Sequence, residues 1–297
     1  MRKTFILIVL AMCCSMAALA GDKFGREIVA CGDNQALIIR PATSTEGQPD
    51  VVWRWHVSDA QGQVPDAFLK HMVPLDDCKP VDNNRKLLLT SSGGGIVVLD
   101  RATRRVLFHA HVPMAHSAEW LPGGKIAVAL STAAGGNSIE LYDLRQSDRP
   151  LFRDSLYSGH GVVWVKSSKL LYALGYDELR AYQLVDIKTD HPSLKLVDKW
   201  GFPGISGHDL TPIDNRHLLM TNAKGVFQFD MDTHTFTPFP PMSGWKDVKS
   251  ANYDVRTGQL IYTKAEISWW THHIYSMNPQ WTLTFDDINL YKVRVMR

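Results

Sequence analysis

Short apolar runs recur along the chain, and turn-forming residues close each one. Five of them share one form: Lys86-Leu-Leu-Leu-Thr, Lys125-Ile-Ala-Val-Ala, Lys169-Leu-Leu-Tyr-Ala, His217-Leu-Leu-Met-Thr and Gln259-Leu-Ile-Tyr-Thr. Runs of this length, rich in branched residues and bounded by Gly, Asn, Asp and Ser, predict strands. Each is preceded by a turn, such as Asp82-Asn83-Asn84 or Pro122-Gly123-Gly124, of the kind that tight β connections need. No long stretch has the 3.6-residue period of a helix.

A second pattern lies nine residues upstream of each run. The marks are Asp77, His116, His160, His208 and Ser250, so successive intervals run from 39 to 48 residues. A period in the forties built from short strands predicts a β-propeller. Each repeat reads as four strands. In the third these are His116–Trp120, Lys125–Leu130, Ser138–Leu144 and Pro150–Tyr157.

The first repeat is incomplete. Its later strands read as Glu27–Cys31, Ala36–Arg40 and Val51–Val57, but the nine-step count back from Arg26 lands on Ala17. At the other end, Trp281–Phe285 completes the last repeat and leaves Leu290–Met296 over. The spare strand is expected to become the inner strand of blade one and close a ring of six blades. Closure removes exposed sheet edges. A seventh blade would have to come from Ser58–His71, which is polar, lacks alternation and reads as a long loop.

Residues 1–20 read as a signal peptide. Arg2 and Lys3 precede an apolar Phe5–Met12, and Ala18-Leu19-Ala20 fits a cleavage site. The expectation is one propeller domain over 21–297, in the periplasm or outside the cell, with no transmembrane segment. Formal net charge is +2, with 32 basic and 30 acidic residues and no basic stripe, which argues against nucleic acid as a partner. Two of the four cysteines fall in the leader. Cys31 and Cys78 remain, either as a bridge or, as the simpler reading, as buried thiols.

In a propeller the inner strands line a central channel, so their first residues ring one mouth. Loops converging on a rigid scaffold are where sites gather. His116, His160 and His208 are therefore the candidate catalytic residues. Three readings stand side by side. The imidazoles join blades through hydrogen bonds, serve a ligand or acid–base chemistry, or hold Zn²⁺ or Mn²⁺. Gly159 and Gly207 are expected to leave room for a ligand beside the backbone. Candidate ligand contacts are Asp77, with Asp33, Asn34 and Asp177 from the loops between second and third strands. Trp269, Trp270 and His272 belong to the last such loop, where paired tryptophans suit the apolar face of a sugar. No P-loop, dinucleotide fingerprint, Cys-x-x-Cys, His-Glu-x-x-His or Gly-x-Ser-x-Gly occurs.

The Gly32-Asp33-Asn34-Gln35 pattern, the Gly-His openings of the inner strands and the closing Leu290-Tyr291-Lys292-Val293-Arg294 resemble a family of exported bacterial β-propellers of unknown function. The resemblance covers nearly the whole mature chain and implies the fold without a reaction. The chain is more weakly similar to propeller-fold oligogalacturonate lyases. That similarity implies a divalent metal among His116, His160 and His208, while the lyases' further ligand and basic catalytic groups have no counterpart here.

Together these features predict an exported propeller that binds a carbohydrate or other small polar ligand at the channel mouth, with cleavage as an open extension. The alternative is a non-enzymatic propeller that binds a protein partner and whose histidines are structural.

Overall fold

A computed structural model describes residues 27–146 and 148–296. It contains six four-stranded antiparallel sheets, and each hairpin step joins strands adjacent in sequence. The exception is the first sheet. There Leu290–Val295 pairs with Ile28–Gly32, followed by Gln35–Ile39 and Val51–His56. The C-terminal strand thus supplies the missing inner strand and closes the six-bladed ring, as the spare strand predicts.

The cores lie between blades, because every strand alternates its side chains between two neighbours. Leu87 and Leu89 pack toward blade one, with Val29, Ile38 and Trp55. Leu88, on the other face of the same strand, packs toward blade three with Ala118, Ile126 and Val128. The last such cluster joins Ile261 and Ile274 of blade six to Ile28, Leu37 and Val293 of blade one. Closure is therefore hydrophobic as well as hydrogen-bonded.

The turns behave as their residues demand. Asp82, Asn83 and Asn84 have φ of 52°, 53° and 62°, values that Asn, Asp and Gly accept most readily. Ser58–His71 holds no strand. It folds into short helical turns, including Asp66–Leu69, and buries Phe68 against blades one and two, together with Met72, the residue that follows the segment. Cys31 and Cys78 are buried free thiols, and the Cys78 thiol donates to the Val29 carbonyl at 3.5 Å. No helix among the described residues is long and apolar enough to cross a membrane. The proposed leader lies outside the described residues.

Candidate functional site

The inner strands of blades two to six are Leu75–Val81, Ala115–Leu121, Gly161–Val165, Gly207–Pro212 and Val248–Asp254. Most share one irregularity. In blade three Ala115 pairs with Leu130 and Ser117 with Ala129, so His116 has no partner and bulges out of the ladder. The same skip leaves Asp76 unpaired in blade two, His208 in blade five, Lys249 in blade six and Tyr291 in the closing strand. Blade four has no skip, yet His160 stands just before its inner strand. Two residues ahead of His116, His160, His208 and Lys249, the backbone is left-handed in every case, at Met114, Ser158, Ser206 and Asp247. One ring therefore reads Tyr291, Asp76, His116, His160, His208, Lys249. A β-bulge re-aims a side chain, and bulges gather at rims and functional sites.

The nine-step ruler found the three histidines and missed Asp76 and Lys249. The cause is the number of residues between the bulge and the second strand, nine in blades two and six and eight in blades three and five. The turn between first and second strands runs from Asp82 to Arg85 in blade two, one residue longer than Pro122–Gly124 in blade three. A fixed count therefore overshoots by one, onto Asp77 and Ser250. Asp77 faces elsewhere. It pairs with Arg294 at 2.7 Å and accepts a hydrogen bond from Ser117 at 2.8 Å. Arg294 also holds Asp209 at 2.6 Å, and Lys292 reaches Asp209 at 3.3 Å and the His160 carbonyl at 3.4 Å. The closing strand so fills the channel beside the ring with a buried, paired charge cluster.

Within the ring the rings touch. His116 and His160 stand edge to face with centroids 4.3 Å apart, and His160 and His208 are 6.0 Å apart. His116 lies 6.4 Å from Tyr291. His160 Nδ1 donates to the Ser158 carbonyl at 2.8 Å. His208 Nε2 lies 2.9 Å from the Lys249 ammonium. His116 Nδ1 is 3.8 Å from Asp76, too far for a hydrogen bond. His116 Nδ1 and His208 Nδ1 are buried with no partner, and so are Thr90 Oγ1 and Thr221 Oγ1 on the adjoining second strands.

Burial sets the charge states. It pushes His116 well below its ordinary value, with His160 and Lys292 adding to the effect. His160 falls to about 4 through burial, against the pull of the Ser158 carbonyl. His208 falls to about 2, through burial and then the Lys249 charge. All three are neutral at pH 7. Burial raises Asp76 to about 7 even though the Ser92 backbone N–H donates to it. It lowers Lys249 to about 8, against the pull of Asp247. A carboxyl and an amine on one rim thus both titrate near neutrality, a pattern that marks acid–base sites.

The remaining expected residues fall in several places. Trp269 is 57% exposed, and its ring centroid lies 5.1 Å from Lys249 Nζ, at the edge of the ring. Trp270 is half-buried, and its backbone closes the loop on Ile267. His272 Nδ1 donates to the Ile288 carbonyl at 3.0 Å, and Asp33 accepts from the Asn289 backbone at 2.8 Å. Both brace the approach to the closing strand. Asn34 offers its carbonyl to Val57, and Asp177 offers its own to Phe202. Gly207 is small for packing and not for a ligand, since a Cβ there would meet the Gly175 carbonyl at 2.6 Å. A Cβ on Gly159 would likewise meet the Leu130 carbonyl at 3.0 Å.

The metal expectation does not fit this donor set. His160 Nδ1 is committed to Ser158, His208 Nε2 faces an ammonium, and adjacent imidazoles meet edge to face. Among the described residues no three His, Cys, Asp or Glu side chains are placed to hold a metal ion. In this arrangement His116, His160 and His208 stand as a ring of neutral imidazoles. The sequence model of a family of unknown function, DUF6528, matches residues 25–297. No curated protein matches the chain.

Proposed function

The chain belongs to DUF6528, a family of unknown function, and from the ring alone we propose that the channel mouth binds a small polar ligand. The protein is read as exported, and a carbohydrate is the leading ligand class. His116, His160 and His208 form the polar core, and Trp269 is the stacking wall. The observation that carries this reading is the pair of buried, partnerless Nδ1 atoms on His116 and His208. Buried polar atoms are nearly always satisfied, and each left unpaired costs about 1–3 kcal/mol. A ligand hydroxyl or carbonyl meets that need. Trp269 offers an exposed aromatic face beside the same ring, suited to the C–H face of a sugar.

Structural histidines would each bond a carbonyl or hydroxyl of the next blade. His160 bonds a backbone carbonyl two residues away, and the other two bond no backbone at all. Binding is thus favoured over the interaction-propeller reading. Asp76 and Lys249 supply the acid and base that cleavage would require.

A thermal-shift screen against neutral oligosaccharides and small polyols tests binding. At least one compound should raise the melting temperature of the parent and leave a folded His116→Ala/His208→Ala variant unmoved. Equal shifts in both proteins, or none in the parent from this panel and from small polar anions, contradict the reading.

A further inference from the structure

Among the buried cations of the described residues, Lys249 is the one at the mouth without a carboxylate. Lys292 has Asp209 at 3.3 Å, Lys79 has Glu119 at 3.1 Å, and Lys125 has Asp143 at 3.0 Å. Arg294 has Asp77 and Asp209. Lys249 is 1% exposed, and its one hydrogen bond among the described residues goes to His208 Nε2. Asp247, two residues earlier, is exposed and makes no ion pair with it among the described residues. Burying an ammonium without a counter-charge is costly, which is why buried charges are nearly always paired.

The hydrogen bond to His208 adds a second fact. An ammonium only donates, so His208 Nε2 accepts and the ring proton sits on Nδ1. That Nδ1–H is the buried atom with no partner. Lys249 and His208 together therefore present a positive charge and an unmet N–H donor at one point of the ring. A neutral hydroxyl would satisfy the N–H and leave the charge. An anion satisfies both.

We infer that the ligand received at the mouth is an anion, a carboxylate or a phosphate, whose charge pairs with Lys249 while its oxygen accepts from His208. This rests on the mouth being a ligand site at all. It narrows the ligand from a polar molecule to a negatively charged one. Trp269 stands over the same ammonium and would cover the bound group from the solvent side. Lys292 and Arg294 add no free charge, since Asp77 and Asp209 balance them.

Gluconate and sorbitol share one polyol skeleton and differ in a carboxylate, so they isolate the charge. The test is calorimetric titration of gluconate, sorbitol and inorganic phosphate at pH 6.5 in a low-salt cationic buffer. The full chain, Lys249→Met and Lys249→Arg are compared after each variant's melting curve shows it folded. Gluconate or phosphate should bind about tenfold or more tighter than sorbitol, the size of one charged hydrogen bond. Lys249→Met should lose that preference, and Lys249→Arg should keep most of it. Sorbitol binding as tightly as gluconate, or a preference that survives Lys249→Met, overturns the anion and leaves the site standing. No binding of either anion overturns the anion as well. If the neutral panel also fails in the parent, the mouth itself is not a site.

Discussion

Lys249 holds its charge against the interest of the fold. Its folded pKa, about 8, lies below the ordinary 10.5. The unfolded chain therefore keeps the proton more firmly, and the full penalty stands at pH 7 and fades as pH rises from about 8 toward 10.5. Lys249→Met removes the charge and keeps the length. We expect it to stabilise the protein by about 1–3 kcal/mol at pH 7 in urea denaturation, as replacement of buried charges by apolar groups does elsewhere. A loss of stability would mean that Lys249 is structural. Asp76 gives the opposite slope. Its pKa is raised from 3.8 to about 7, so the folded state holds a proton that the unfolded state releases. Its contribution is therefore intact below pH 4 and lost as pH climbs through 7. Asp76→Asn keeps an acceptor for the Ser92 N–H. It should raise stability by about 1–3 kcal/mol more at pH 8 than at pH 4, and equal effects at both values would remove Asp76 from the titrating pair.

At the scale of elements, the strand repeat was open to reading from apolar runs and turns, because both are local properties of the chain. Closure was legible for the same reason: Leu290–Val295 alternates like an inner strand and has no partner of its own. The bulge was not legible. It depends on how many residues separate it from the second strand, and nine in blade two against eight in blade three shift the frame by one. Asp76 and Lys249 sit one step before the marks at Asp77 and Ser250, so allowing one more residue before the second strand would have found them. The partners of the loop residues were not legible for another reason. Asp33 and His272 look like free polar groups in sequence, but their partners, Asn289 and Ile288, lie far along the chain or across a loop. Those contacts hold the entry to the closing strand, and Gly32 is part of it. A Cβ at Gly32 would stand 1.9 Å from the Asn289 carbonyl, a backbone atom that cannot turn aside. Gly32→Ala should cost about 3 kcal/mol in a denaturant titration. A neutral outcome would show the closing strand to be loosely seated.

For the whole molecule, the last strand ties the ring shut and plugs it. Its Val293 joins the core between blades six and one. Its Arg294 grips Asp77 of blade two and Asp209 of blade five, and its Lys292 reaches the His160 carbonyl of blade four. Removing Leu290–Arg297 takes away an inner strand and the two buried cations Lys292 and Arg294, leaving two buried carboxylates unpaired. Breaking a buried pair by removing one partner costs about 3–5 kcal/mol. The truncated chain should therefore show no cooperative unfolding transition in calorimetry, and a cooperative melt near that of the full chain would refute closure as the keystone. The plug fills the channel beside the bulged ring, whose side chains are buried. The most direct measurement of that ring is ¹⁵N NMR of side-chain-labelled histidines, recorded before and after adding the best binder from the screens. Binding at the mouth predicts shifted Nδ1 resonances for His116 and His208, while His217, at the start of a blade-five strand, and His234, in a turn of the same blade, stay unmoved. Shifts confined to His217 or His234, or unchanged His116 and His208 at saturation, would contradict a ligand site in the ring.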